Sequence, residues 1–164
     1  MTQALEKLIQ ALREELTHYG EMLALLDRQQ ETTIQRLTDE MFAATVAIQN
    51  QSKVIHDTRT QRETFQRELS RELCVVESST FVELIPLLPP DYRPLVETLV
   101  EENNDLLRKI HHRARQNHLL LSRSVELMEQ FINTLLPNRS TQVYTDRGAR
   151  VAPTVAPPLY EAVG

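Results

Sequence analysis

"LLPPDYRP", residues 87–94, decides how this chain folds. Proline fixes φ, lacks a backbone N–H and pushes the residue before it toward an extended conformation, so no regular helix passes through such a run. Outward from it the chain is almost free of breakers. Residues 1–85 hold no proline, Pro86 precedes the run, and the next proline after Pro94 is Pro137. Gly20 is the one glycine in residues 1–147. This distribution permits very long helices, one sharp break and a loose tail.

Apolar periodicity supports the same division. Leu5, Leu8, Leu12, Tyr19, Met22 and Leu26 follow a 3-4 spacing, widened by Ile9, Leu16 and Leu23 into one helical stripe. The pattern fades through "RQQETTIQR", and Thr38 with Asp39 and Glu40 then reads as an N-cap followed by acids in a first turn. The next stripe is Met41, Thr45, Ile48, Ser52, Ile55, Arg59, Arg62, Leu69 and Leu73; its middle, "QNQSKVIHDTRTQRET", is too polar for a well-buried seam. Ser78 or Ser79 suits the cap of a short helix through Phe81, Leu84 and Ile85. Asp91 suits the cap of a last helix that tolerates Pro94 in its first turn and runs to Leu136, about 69 Å at 1.5 Å per residue. Its expected seam is Leu95, Leu99, Asn103, Leu106, Ile110, Arg113 or Ala114, Asn117, Leu121, Ser124, Met128, Phe131 and Leu135.

The expected fold is therefore all-α: an elongated antiparallel bundle of three long helices with a short helical turn before the last. The helices span about 3–35, 39–74, 80–86 and 91–136, in one domain of residues 1–137. Residues 138–164 have no period and little apolar mass, and read as a flexible tail.

Composition narrows function. A net charge of −5 argues against general binding to nucleic acid or anionic membranes, and aromatics at 5% with no Trp leave little to stack bases on. Cys74, alone, forms no internal disulfide, which fits a reducing compartment. The start, "MTQALEKLIQALREEL", is no secretory signal, and no run approaches the ~20 apolar residues of a membrane span. A soluble, cytoplasmic protein is expected. Three glycines leave no phosphate-cradling loop, and Cys74 has no evident base. Neither an enzyme nor a cofactor is expected.

The histidines of "KIHHRARQNHLLL", residues 109–121, do not read as ligands. His111 and His112 point ~100° apart, His111 and His118 lie ~10 Å apart along the axis, and neighbouring cations repel a metal. The basic residues wrap the helix on two faces, so a solvated surface is the expectation. One Glu-x-x-His, Glu15 to His18, lacks the second copy that a helical di-metal site needs. Asn103 and Asn117 stand on the seam, where a buried amide costs stability but fixes register or partner. Residues 119–136 are the most apolar part of the chain. Leu120, Leu121, Val125, Met128, Phe131, Ile132, Leu135 and Leu136 cover more circumference than one seam needs. Tyr144 and Gly148, in the polar "VYTDRGARV", are either incidental or a short docking motif.

Taken together, long helices, the break in "LIPLLPPDYRPLVETL", the last helix "ENNDLLRKIHHRARQNHLLL" and the tail Tyr-x-x-x-Gly resemble the FlgN family of flagellar type III export chaperones, over roughly residues 3–148. Asn103, Asn117, Leu120 and Leu121 match the family's last helix, and Tyr144 and Gly148 its tail signature. His111, His112 and residues 149–164 are not part of that pattern.

The resemblance implies a cytosolic, non-enzymatic chaperone for the C-terminal segments of the hook–filament junction proteins FlgK and FlgL, delivering them unassembled to the export gate. The last helix would hold the client through Asn117, Leu120, Leu121, Val125, Met128, Phe131, Ile132 and Leu135. The tail, through Tyr144 and Gly148, would meet the gate protein FlhA. No nucleic acid and no membrane insertion are expected, and a client-free homodimer fits the same apolar face. The rival reading is a structural coiled-coil tether that self-associates through that helix.

Overall fold

The computed structural model of this chain describes residues 2–135, the side chains of Thr2, Asn133 and Leu135 excepted. The expected tail, with Tyr144 and Gly148, lies outside these residues. All regular structure among the described residues is helical: α1 (Thr2–Ile34), α2 (Thr38–Glu72), α3 (Phe81–Leu84), a 3₁₀ turn (Ile85–Leu87) and α4 (Arg93–Leu135). The chain divides into two compact units, Met1–Ser124 and Val125–Gly164.

Within the first unit the side-chain pairings give the helix directions. Along α1 and α2 the partners run in opposite order: Lys7 with Glu68, Glu15 with Arg62, His18 and Glu21 with Gln51, Gln29 with Thr45. Along α1 and α4 they run in the same order. Asn103 Nδ2 donates to the Leu12 carbonyl at 3.0 Å and Asn117 Nδ2 to the Leu26 carbonyl at 2.7 Å, each pair 91 positions apart.

The core sits where α1 begins and α2 ends. Leu5, Leu8, Leu12, Leu69, Leu88, Val96 and Leu99 form it, with Phe65, Phe81, Ile85 and Tyr92 packed against them. Leu88 comes from the proline run, so the break also plugs the core. Burying each such side chain is worth ~1.5–3 kcal/mol. Farther along α1 the buried set turns polar, with Gln29, Thr32 and Asn117 among its members.

Several local expectations change. Thr38 is the first residue of α2 and Leu37 its cap, with no side-chain cap bond. The short helix is capped by Thr80 and neither Ser78 nor Ser79: Thr80 N–H donates to Glu83 Oε2 at 2.8 Å, a reach-back that only the Thr-x-x-Glu spacing allows. Val96 N–H donates to the Tyr92 carbonyl, which moves the start of α4 one residue past the Asp91 cap reading. Val96 is fully buried while Leu95 is 36% exposed. The seam of α4 thus keeps strict 3-4 spacing through Val96, Leu99 and Asn103, and Leu95 falls ~100° off it. On the same helix Arg113 is half-buried and Ala114 exposed; Ser124, Met128 and Phe131 are exposed also, so the expected seam does not persist to the end of α4. In α2, Ser52 and Arg59 of the expected stripe are exposed, and Thr58 is the one buried residue between Ala44 and Leu69.

Helices α1 and α2 both end on a Schellman motif without glycine. Leu37 N–H reaches back to the Thr32 carbonyl and Arg36 N–H to Thr33, with Arg36 at φ 58. Val75 to Ser70 and Cys74 to Arg71 repeat the pattern, with Cys74 at φ 57.

Candidate partner-binding surface

The second unit, as far as it is described, is helix. Stepping ~100° per residue, Leu127, Phe131, Met128, Ile132 and Val125 fall in one arc of about 160°. All five are open to water: Val125 58%, Leu127 56%, Met128 65%, Phe131 62% and Ile132 48%. Glu126, Glu129 and Gln130 take the remaining side, so this is an amphipathic helix whose apolar side is uncovered. Leu135 belongs to α4, but its side chain is outside the described set. Leu127 was not among the sequence candidates, because its position falls between the a and d phases of the expected seam.

In the first unit the remaining candidates divide. Leu120 and Leu121 are half-buried, and Leu119, not a candidate from sequence, is 61% exposed. Asn117 is 3% exposed and turned toward α1, where its Nδ2 also reaches Gln29 Oε1 at 3.0 Å. Asn103 is 5% exposed and spans Leu12 and Leu99 in the same manner. Both amides face the neighbouring helix and not solvent.

The Glu-x-x-His pair has no shared site. Glu15 Oε2 accepts from Arg62 Nε at 3.0 Å and Glu15 Oε1 from the Tyr19 hydroxyl at 3.2 Å. His18 Nδ1 lies 3.0 Å from Glu21 Oε2, and Gln51 Nε2 donates to that same carboxylate oxygen. Burial holds the Glu15 carboxyl above its ordinary value, against the opposing pull of Arg62. Burial, then the Glu15 charge, pushes the Tyr19 hydroxyl up to about 12. Arg62 also lies over the Phe81 ring at 5.7 Å. This cluster borders a cleft of about 380 Å³ between Leu12, Phe81, Val100 and Leu107. The polar middle of α2 therefore turns Arg62 inward beside buried Thr58, at a position of the expected stripe that its charge spoke against. Among the described residues no three His, Cys, Asp or Glu side chains converge as metal ligands would.

Sequence reasoning also missed an exposed apolar pair on α2, Phe42 and Val46, 69% and 40% exposed, and Ile34 at the end of α1, 66% exposed. Phe42 and Val46 share the i, i+4 spacing that would have disclosed it. No helix among the described residues is long and apolar enough to cross a membrane.

Comparison with known proteins adds one finding to this geometry. A family model described as FlgN protein matches residues 1–152, which covers both units of the chain up to its last residues. No curated protein and no solved structure matches.

Proposed function

Since this chain belongs to the FlgN family of flagellar export chaperones, we propose that it captures the C-terminal helical segments of junction proteins of the FlgK and FlgL type. It keeps them unassembled in the cytoplasm and hands them to the export gate. Binding alone does this work, with no chemical step. The working form is an elongated bundle of three long helices in which sequence neighbours run antiparallel, followed by a tail.

The observation that carries this reading is the uncovered side of α4 at Val125, Met128, Phe131 and Ile132. Each such side chain left in water forgoes ~1.5–3 kcal/mol. An amphipathic client helix laid along it recovers that; a part for Leu120, Leu121 and Leu135 in client contact rests on the family resemblance. Met128, flexible and polarisable, suits more than one client. Asn117 contributes by holding α4 in register on α1. Tyr144 and Gly148 dock the loaded chaperone on FlhA, a role that rests on the family's tail signature.

Pull-down with a client C-terminal segment tests the capture. Phe131→Asp should abolish it while circular dichroism stays unchanged; undiminished capture by the helical variant would remove the groove. Tyr144→Ala should keep client capture and lose the cytoplasmic domain of FlhA. Light scattering on the free chain separates the chaperone from the tether. A one-to-one complex with client supports the former, and a tight dimer indifferent to client supports the latter.

A further inference from the structure

Residues 106–124 of α4 contain no Asp or Glu, yet hold five of the chain's 18 Lys and Arg and three of its five histidines. In a chain of net charge −5 this is a local reversal of sign. From sequence the charge wraps the helix on two faces; the structure separates them. Arg113 turns to α1, its Nε 2.7 Å from Asp27 Oδ1 and its Nη1 on Gln30. Arg108 leans on Asp105 one turn back but keeps 74% of its side chain exposed. His111, His112, Arg115 and His118 are exposed, and none has an ion-pair partner among the described residues.

With Arg113 withdrawn, exposed Lys109 is left ~100° from Arg108 on the second face, and the other exposed cations and imidazoles of residues 108–118 share one face. At ~100° per residue Arg108, His111, His112, Arg115 and His118 fall within an arc of about 120°, on the side away from buried Asn103 and Asn117. They form two interleaved series at i, i+4, i+7 that share Arg115: residues 108, 112 and 115, and residues 111, 115 and 118. Such a series is the footprint one helix presents to another. Arg115 and Arg108 supply fixed charge, and each imidazole offers a ring N–H donor even when neutral.

We infer that this face of α4 docks an acidic α-helix of a partner protein, one carrying Glu or Asp at i, i+4 and i+7. The charge pattern selects that partner. An acidic helix meets the reversed sign locally, whereas the chain's overall negative charge repels a long polyanion at longer range, and no Phe, Tyr or Trp lies on the face to stack a base. The site is distinct from the apolar side at Val125–Ile132 and does not rest on the client-capture reading.

The test is fluorescence anisotropy on the full chain with a labelled, blocked, alanine-based helical peptide bearing glutamates at i, i+4 and i+7. The same peptide with glutamines, and a single-stranded oligouridylate, serve as competitors. The glutamate peptide should bind, the glutamine peptide should fail to compete, and added salt should weaken the complex. Arg115→Glu should lower affinity at least tenfold, and His111→Gln with His118→Gln should lower it measurably, with helicity unchanged. A lysine version of the peptide should bind Arg108→Glu/Arg115→Glu in preference to the native chain. Equal affinity of native chain and Arg115→Glu for the glutamate peptide overturns the proposal. So does tighter binding of oligouridylate than of the peptide, which would make this a nucleic-acid surface.

Discussion

Asn117 Nδ2 donates to the main-chain carbonyl of Leu26 at 2.7 Å, and Asn103 repeats the bond to Leu12 with the same separation of 91 positions. Two rungs two heptads apart fix how far α4 is slid along α1. A slip of one residue turns both amides ~100° off the interface. The Oδ1 of each has no hydrogen-bond partner among the described residues, so the rungs specify register at a cost in stability.

Asn117→Leu should therefore change stability little, because it removes the unpaired Oδ1 but leaves buried Gln29 Oε1 without its donor, each worth ~1–3 kcal/mol. Asn117→Asp should lower it by ~3 kcal/mol or more at neutral pH, since a buried carboxylate would face the Leu26 carbonyl and Gln29 Oε1. Urea denaturation of both variants checks this. Equal effects from the two would show that the amide has no electrostatic part in the interface.

What the sequence disclosed follows from how each interaction is encoded. The long helices and their break were legible because proline acts locally, wherever it stands. So was α1, whose leucine stripe keeps a single phase from Leu5 to Leu26. The middle of α2 was not. Arg62 is held inward by Glu15, a residue far away in the chain, and a hydropathy pattern carries no record of a paired charge. The Asn103 and Asn117 positions were readable as seam amides, but which helix they address, and in which direction it runs, came only with Leu12 and Leu26. The apolar surplus of α4 was readable from its composition, but exposure at Val125 and Phe131 depends on which neighbours the fold places beside them.

Arg36 and Cys74 hold left-handed conformations at the ends of α1 and α2, with φ 58 and 57. For a residue with a Cβ that conformation costs roughly 1–2 kcal/mol, and glycine adopts it freely but loses more entropy on folding. Arg36→Gly and Cys74→Gly should each raise stability by about 0.5–1 kcal/mol. The sites lie at opposite ends of α2, so the double variant should show the sum. Chemical denaturation decides it. A loss of stability in either single variant would mean that the arginine or cysteine side chain contributes more than its backbone strain removes.

Core and apolar surface should differ in their response to truncation. Leu69 is fully buried among Leu5, Leu8 and Leu88, and Leu69→Ala should cost ~2–5 kcal/mol. Met128 is 65% exposed, and Met128→Ser should stay within ~0.5 kcal/mol of the native chain. Urea midpoints at equal slope compare the two. A large loss from Met128→Ser in the free chain would mean that this side of α4 is already covered in solution.

Glu15 gives the fold an unusual pH dependence. Burial raises its carboxyl above the ordinary 4.5, Arg62 opposing. The folded chain thus holds this proton to higher pH than the unfolded chain does. By linkage, Glu15's contribution is full below 4.5 and is lost as pH rises from 4.5 through the folded value. Glu21, lowered by its bonds from His18 and Gln51, and Glu77, lowered by Arg71, act the other way and in a different window. What they add is present above 4.5 and lost as pH falls below it. Glu15→Gln keeps an acceptor for Arg62 and removes the titration. Its stability relative to the native chain should climb as pH rises above 4.5, then level off. Tyr19→Phe, which takes away the hydroxyl donating to Glu15, should move the native decline to higher pH. Denaturation curves for the three chains between pH 4 and 8 provide the measurement. A pH-independent difference between Glu15→Gln and the native chain would show that Arg62 compensates for the burial of this carboxylate in full.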